Sequence, residues 1–144
     1  MSVVELLKRV ALFEGLSEHE LEAVSTVCRE RSFADGETLV RQGDTGDELF
    51  VIQDGQVEIR IVGILPERPI VVLGEGQILG EMSLLDQGFR SATARATAPT
   101  RVQAIGRHEF TALCEQSHHI GYLVMRNLAA DLSFKIRHRN LATM

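Results

Sequence analysis

At Arg29 the apolar pattern of this 144-residue chain switches from a helical period to a period of two, and the helical period returns only after Gly106. That switch bounds a run of short strands with turn signals between them, the pattern of a small sandwich or barrel. Asp35-Gly36 separates two short strand candidates. Glu48 to Gln53 and Gln56 to Val62 alternate around Asp54-Gly55, which predicts a hairpin. Leu65-Pro66 through Pro69 reads as the next turn, and Ile70 to Leu73 as a buried strand. Ser91 to Thr97 and Arg101 to Ile105 read as a last strand pair, broken at Ala98-Pro99.

Both ends are helical. Val3, Leu6, Leu7 and Val10 carry the first helical spacing. Ser17 and Glu20 form a capping box, with Leu16 and Leu21 as its staple, and the helix they open runs to about Val27. Beyond Gly106, Phe110 and Leu113 mark a short helix. Ile120, Val124, Leu128, Leu132 and Ile136 then step by four along an amphipathic one. Its basic end, Lys135, Arg137, His138 and Arg139, suits a helix C-terminus better than a DNA surface.

One domain accounts for the length. It divides into N-terminal helices over 1–27, a strand region over 28–106 and C-terminal helices over 107–139. With no Trp, Leu, Ile and Val must fill the core, and a net charge of −5 argues against nucleic acid as a partner. No apolar run approaches membrane-spanning length, and Glu5, Lys8 and Arg9 break any signal-peptide pattern. Cys28 and Cys114 read as buried, reduced thiols of a cytoplasmic protein.

The chemistry concentrates in Gly80-Glu81-Met82-Ser83-Leu84-Leu85-Asp86-Gln87-Gly88-Phe89-Arg90-Ser91-Ala92-Thr93. Gly80 lets the backbone turn tightly into a short helix, whose first N–H groups near Glu81 to Ser83 can point at an anion. Arg90 adds a charge-assisted contact fit for a phosphate. Glu81 is a strong acceptor for a hydroxyl.

This run resembles the phosphate-binding cassette of the cyclic nucleotide-binding domain family, which includes the protein kinase A regulatory subunit and the catabolite activator proteins. Gly43-Asp44, Asp47 to Ile52, Gly55 and Val57 extend the resemblance upstream, and it spans about Leu12 to Asn140. It implies an eight-stranded β-roll flanked by N-terminal helices and a long C-terminal helix, with the cassette at 80–93. The implied ligand is cAMP, with cGMP second, and no cofactor or metal is implied. By resemblance Arg90 binds the exocyclic phosphate oxygens and Glu81 the ribose 2′-OH. Met82 and Ser83 offer backbone contacts, and Leu73, Leu79, Leu84 and Ala92 wall the pocket. Ser91 can bond the phosphate and leaves the base open, since threonine there leans to cGMP and alanine to cAMP. Leu79 replaces the family's usual Phe, and Phe89 its usual Pro, so Phe89 either loosens the Arg90 loop or places a ring over the ligand. Asp44 is a candidate carboxylate partner for Arg90.

The resemblance further implies that the C-terminal helix acts as a lid and can pair with a second copy. No helix-turn-helix follows, so the chain reads as a lone sensor or as one cut from a longer protein, passing its signal to a downstream partner. An enzyme is disfavoured: no His lies between His19 and His108, so strand-borne metal ligands are missing, and no Ser or Cys nucleophile motif appears. The remaining alternative is a degenerate domain that binds protein rather than nucleotide.

Overall fold

A computed structural model describes residues 1–61, 69–86 and 88–143. The N-terminal segment holds α1 (Val3–Leu7), a 3-10 turn (Ala11–Phe13) and α2 (Glu18–Ser25). Ser17 Oγ accepts from the Glu20 N–H, and the Glu20 carboxylate accepts from the Ser17 N–H, so the capping box forms as its sequence predicts. Strands β1 (Cys28–Phe33), β2 (Thr38–Val40), β3 (Glu48–Asp54), β4 (Val57–Arg60), β5 (Pro69–Leu73), β6 (Ile78–Leu79), β7 (Thr93–Ala96) and β8 (Thr100–Gly106) follow. Helices α3 (Arg107–Gln116) and α4 (His118–Thr143) end the chain.

The strands form two antiparallel four-stranded sheets, ordered β1-β8-β3-β6 and β2-β7-β4-β5. The expected β-roll with flanking helices is therefore present. The expected hairpins are not. The two strands around Asp54-Gly55 lie in different sheets, as do those around Ala98-Pro99 and Asp35-Gly36. Gly55 explains why. At φ +102°, a Cβ there would also lie 2.6 Å from the Pro99 carbonyl oxygen, so this corner packs against the corner before β8. Gln56 cements the contact by accepting from the Thr97 N–H at 3.0 Å. Turn chemistry is local, but the sheet a strand joins is decided by distant partners. Residues 65–68 of the turn expected before β5 lie outside the described residues.

Two apolar clusters share the β1-β8-β3-β6 sheet. Phe33, Phe50, Ile52, Val57, Ala94, Ala96, Val102 and Ala104 fill the roll. Leu49, Val51 and Ile105 face the other way, onto Leu6, Leu7, Val24, Phe110, Ile120, Val124 and Leu128 of the helices. That is why Leu49-Phe50-Val51-Ile52 is a continuous apolar run: β3 is buried on both faces.

Along α4 the four-residue stripe holds only partway. Ile120, Val124 and Leu128 are buried, Leu132 packs at the edge, and Ile136 is 58% exposed. A step of four advances 400° and drifts about 40° round the helix each time. The basic cluster also falls short of the helix end, which continues to Thr143 rather than stopping near 139. Both cysteines are free thiols, and burial pushes the Cys28 thiol up to about 12.

Candidate functional site

Strand β6 pairs with β3, Leu79 opposite Phe50, and so delivers Gly80 to the sheet edge. There Gly80 takes φ +82°, ψ 21° and caps a 3-10 turn, Glu81–Leu84. A side chain could not follow: its Cβ would lie 2.5 Å from Arg90 Nη1 and 2.8 Å from the Glu48 carbonyl oxygen. The Ser83 N–H closes the turn on the Gly80 carbonyl at 2.9 Å, so that amide is not available to an anion as expected. The Glu81 and Met82 N–H groups have no acceptor among the described residues.

Arg90 is half-buried against this turn. Nη1 donates to Ser83 Oγ and Nη2 to the Glu48 carbonyl, both at 3.0 Å, while the guanidinium lies 5.9 Å from the Phe50 ring centroid. Burial holds its pKa below the ordinary value, and the Glu48 and Asp47 carboxylates offset only part of that. The Asp44 carboxylate makes no pair with it. Asp44 acts through its carbonyl, which accepts from the Arg90 N–H at 2.7 Å, while the Gly43 N–H donates to the Arg90 carbonyl. A Gly46–Gly88 bond and a Thr45–Phe89 bridge complete the splint. These main-chain bonds supply the restraint that a proline would have given. The Phe89 ring is 79% exposed rather than folded over a ligand site. Gln87 lies outside the described residues.

Leu73, Leu79, Gly80, Glu81, Arg90, Ser91 and Ala92 converge on one cavity of about 390 Å³, walled also by Val40 and Ile59. Met82 and Ser83 do not reach it. They line a neighbouring cleft with Phe89, and the Ser83 side chain anchors Arg90. Leu84 turns into the helical core instead of the pocket.

Four site residues escape a reading of the sequence. A Cβ on Gly46 would overlap the Arg90 guanidinium. Glu48 contributes a carbonyl, and Phe50 a ring that also has the Arg31 guanidinium 5.5 Å from its centroid. Lys135 comes from α4, where it reads as part of a basic cap. Its ammonium reaches Glu81 Oε1 at 3.4 Å and Asp131 at 2.9 Å. Desolvation pulls Lys135 down, but the Asp131 hydrogen bond and the Glu81 and Asp131 charges outweigh it and hold the ammonium above its ordinary value.

Residues 30–117 match the family model described as the cyclic nucleotide-binding domain. Among curated relatives, a cyclic AMP receptor protein of Thermus thermophilus is 35% identical over 94% of this chain and 61% of its own length. A cGMP-dependent protein kinase of Caenorhabditis briggsae is 33% identical over 77% of this chain and 15% of its own. Among solved structures, the N-terminal domain of a transcriptional regulator from Streptomyces coelicolor superposes with a TM-score of 0.83. It shows 27% identity over 96% of this chain and 95% of that one. The family match covers most of the chain and coincides with the β-roll that carries the Gly80–Arg90 pocket, and the chain belongs to the cyclic nucleotide-binding domain family.

Proposed function

We propose that this chain is a cyclic nucleotide sensor, cAMP ahead of cGMP, and that it signals through α4. The observation that carries the reading is the convergence of Gly80, Glu81, Arg90 and Ser91 on one cavity beneath α4. An anionic phosphodiester would meet the Arg90 guanidinium and the Glu81 amide, and a ribose hydroxyl would meet the Glu81 carboxylate. The alignment with the cAMP-named relative, longer than that with the cGMP-named one, favours cAMP, while Ser91 leaves the base open. Arg90 and Glu81 sit in contacts suited to binding, and the role we assign is regulatory rather than enzymatic. Ligand can move α4 only by binding one of its positions better than the other.

The curated relatives are longer than this chain, which spans 61% of one and 15% of the other. We take 1–144 as one sensor unit, cytoplasmic, passing its signal to a fused domain or a downstream protein. Phe134, 60% exposed where α4 runs past the body of the domain, supports pairing with a second copy.

A second reading is a domain that keeps the cassette and binds protein without ligand. It is favoured by Arg90 and Glu81 already having partners, Ser83 with the Glu48 carbonyl for one and Lys135 for the other. Calorimetric titration with cAMP and cGMP separates the two. Saturable binding that falls roughly 100-fold in Arg90→Ala, the loss of a charged two-point contact, supports the sensor. A folded, nucleotide-free sample that gives no heat with either ligand supports the second reading.

A further inference from the structure

Glu81 is 19% exposed and lines two cavities at once. One is the 390 Å³ pocket. The other, of about 410 Å³, runs back along α4 to Leu12 and Arg9. Leu73, Ile78, Glu81 and Lys135 are common to both, so the Glu81–Lys135 pair is part of the wall between them. Among the described residues, Lys135 is the α4 side chain that reaches the pocket. Its ammonium is held from below by Asp131, one helical turn earlier, and from the side by Glu81 Oε1. That leaves Glu81 Oε2 for another donor.

A glutamate has three side-chain torsions to fix before its carboxylate can meet a hydroxyl, and a partner that fixes them beforehand removes that entropic cost from binding. We propose that Lys135 is a positioning residue for ribose recognition, orienting the Glu81 carboxylate so that its second oxygen meets the ribose 2′-OH, and thereby tying that contact to α4. The chain of contacts runs ribose hydroxyl, Glu81, Lys135, Asp131. By linkage, a hydroxyl that strengthens the first bond steadies the helix, and a steadied helix strengthens the hydroxyl contact equally. The proposal rests on the sensor reading above.

The test compares cAMP with 2′-deoxy-cAMP in calorimetry on the full chain, at low and high salt. Lys135→Met keeps an apolar, helix-favouring stem and removes the charge. The preference for the ribose form should fall about threefold, the scale of one partly exposed ion pair, with the deoxy ligand nearly unaffected. Lys135→Arg should restore most of it. Salt should erode the preference in the parent and leave it unchanged in Lys135→Met. Glu81→Gln should reduce the preference by itself, with Lys135→Met adding nothing further. An unchanged preference in Lys135→Met, or equal losses for both ligands, overturns the proposal.

Hydrogen exchange over residues 131–138 of the free protein supplies an arm that needs no ligand. Either single variant should speed exchange there, and the double variant should be no faster. Unaltered exchange means that no such tie exists. If the parent binds neither nucleotide, the sensor reading falls and the ribose role falls with it. The exchange arm then decides whether α4 is tied to Glu81 at all.

Discussion

Two glycines bracket the Arg90 guanidinium, and they do so for different reasons. Gly80 is required by its left-handed backbone, which costs an L-residue roughly 1–2 kcal/mol, and by the main-chain carbonyl of Glu48, 2.8 Å from where a Cβ would sit. Gly46 has no such backbone, and only the space that Arg90 fills demands it. The two should separate in experiment. Gly80→Ala lowers both unfolding free energy, by about 1–2 kcal/mol, and nucleotide affinity. Gly46→Ala displaces a flexible side chain, so it lowers affinity with little change in melting temperature. Equal melting losses for the two would refute the distinction. Gly80, Glu81 and Arg90 were legible because they stand close together in sequence with a recognisable spacing. Gly46 and Lys135 were not, because what makes them matter lies 44 and 54 residues away along the chain, at Arg90 and Glu81.

Elements were legible where their signals are local. The Ser17 box is spelled out in four residues, and it formed. It also makes a prediction about acid. The Glu20 carboxyl is held below its ordinary value of 4.5, first by the Ser17 N–H and then by His119 across on α4. A lowered folded pKa gives stability that is present above the ordinary value and is lost as pH falls through the folded one. Ser17→Ala should therefore cost about 1 kcal/mol near neutral pH. Glu20→Gln, which removes the titrating carboxyl, should show a shallower loss of stability than the parent below about pH 4.5, measured by urea denaturation. Parallel pH curves would mean that the box does not set the titration. The hairpin reading at Asp54-Gly55 failed for the opposite reason. A tight turn fixes that the chain reverses, and the partners of β3, namely β8 and β6, lie far downstream. The unbroken Leu49 to Ile52 run carried the warning, since an edge hairpin has no second layer to bury both faces of a strand.

At the scale of the molecule, one sheet serves two cores. Its inner face fills the roll and its outer face seats the helices, so a change at β3 reaches the pocket and α4 together. Fold class and the order of its parts were legible from period and turn spacing alone. How far α4 stays on the body was not, because a four-residue stripe says nothing about where the surface beneath it ends. Past Leu132 the helix exposes Phe134 and Ile136 to solvent. If this overhanging stretch of α4 pairs with a second copy through Phe134, sedimentation should find the parent dimeric and Phe134→Glu monomeric, with nucleotide binding by each protomer retained. A monomeric parent ends that part of the proposal.

The exchange of sheets at each tight corner has a consequence for how the chain is made. Strand β1 finds its partner in β8, with Cys28 opposite Ile105 and Phe33 opposite Thr100. During synthesis β1 and β3 must wait with open edges until the last strand leaves the ribosome, because neither can complete its sheet with nearby chain. Closing loops of that length before any reward is the slow route to a native state, on the scale of milliseconds to seconds for such topologies. The same arrangement makes the roll all-or-none: a chain cut before Thr100 would lose the central β8 and leave β1 with no strand to pair with.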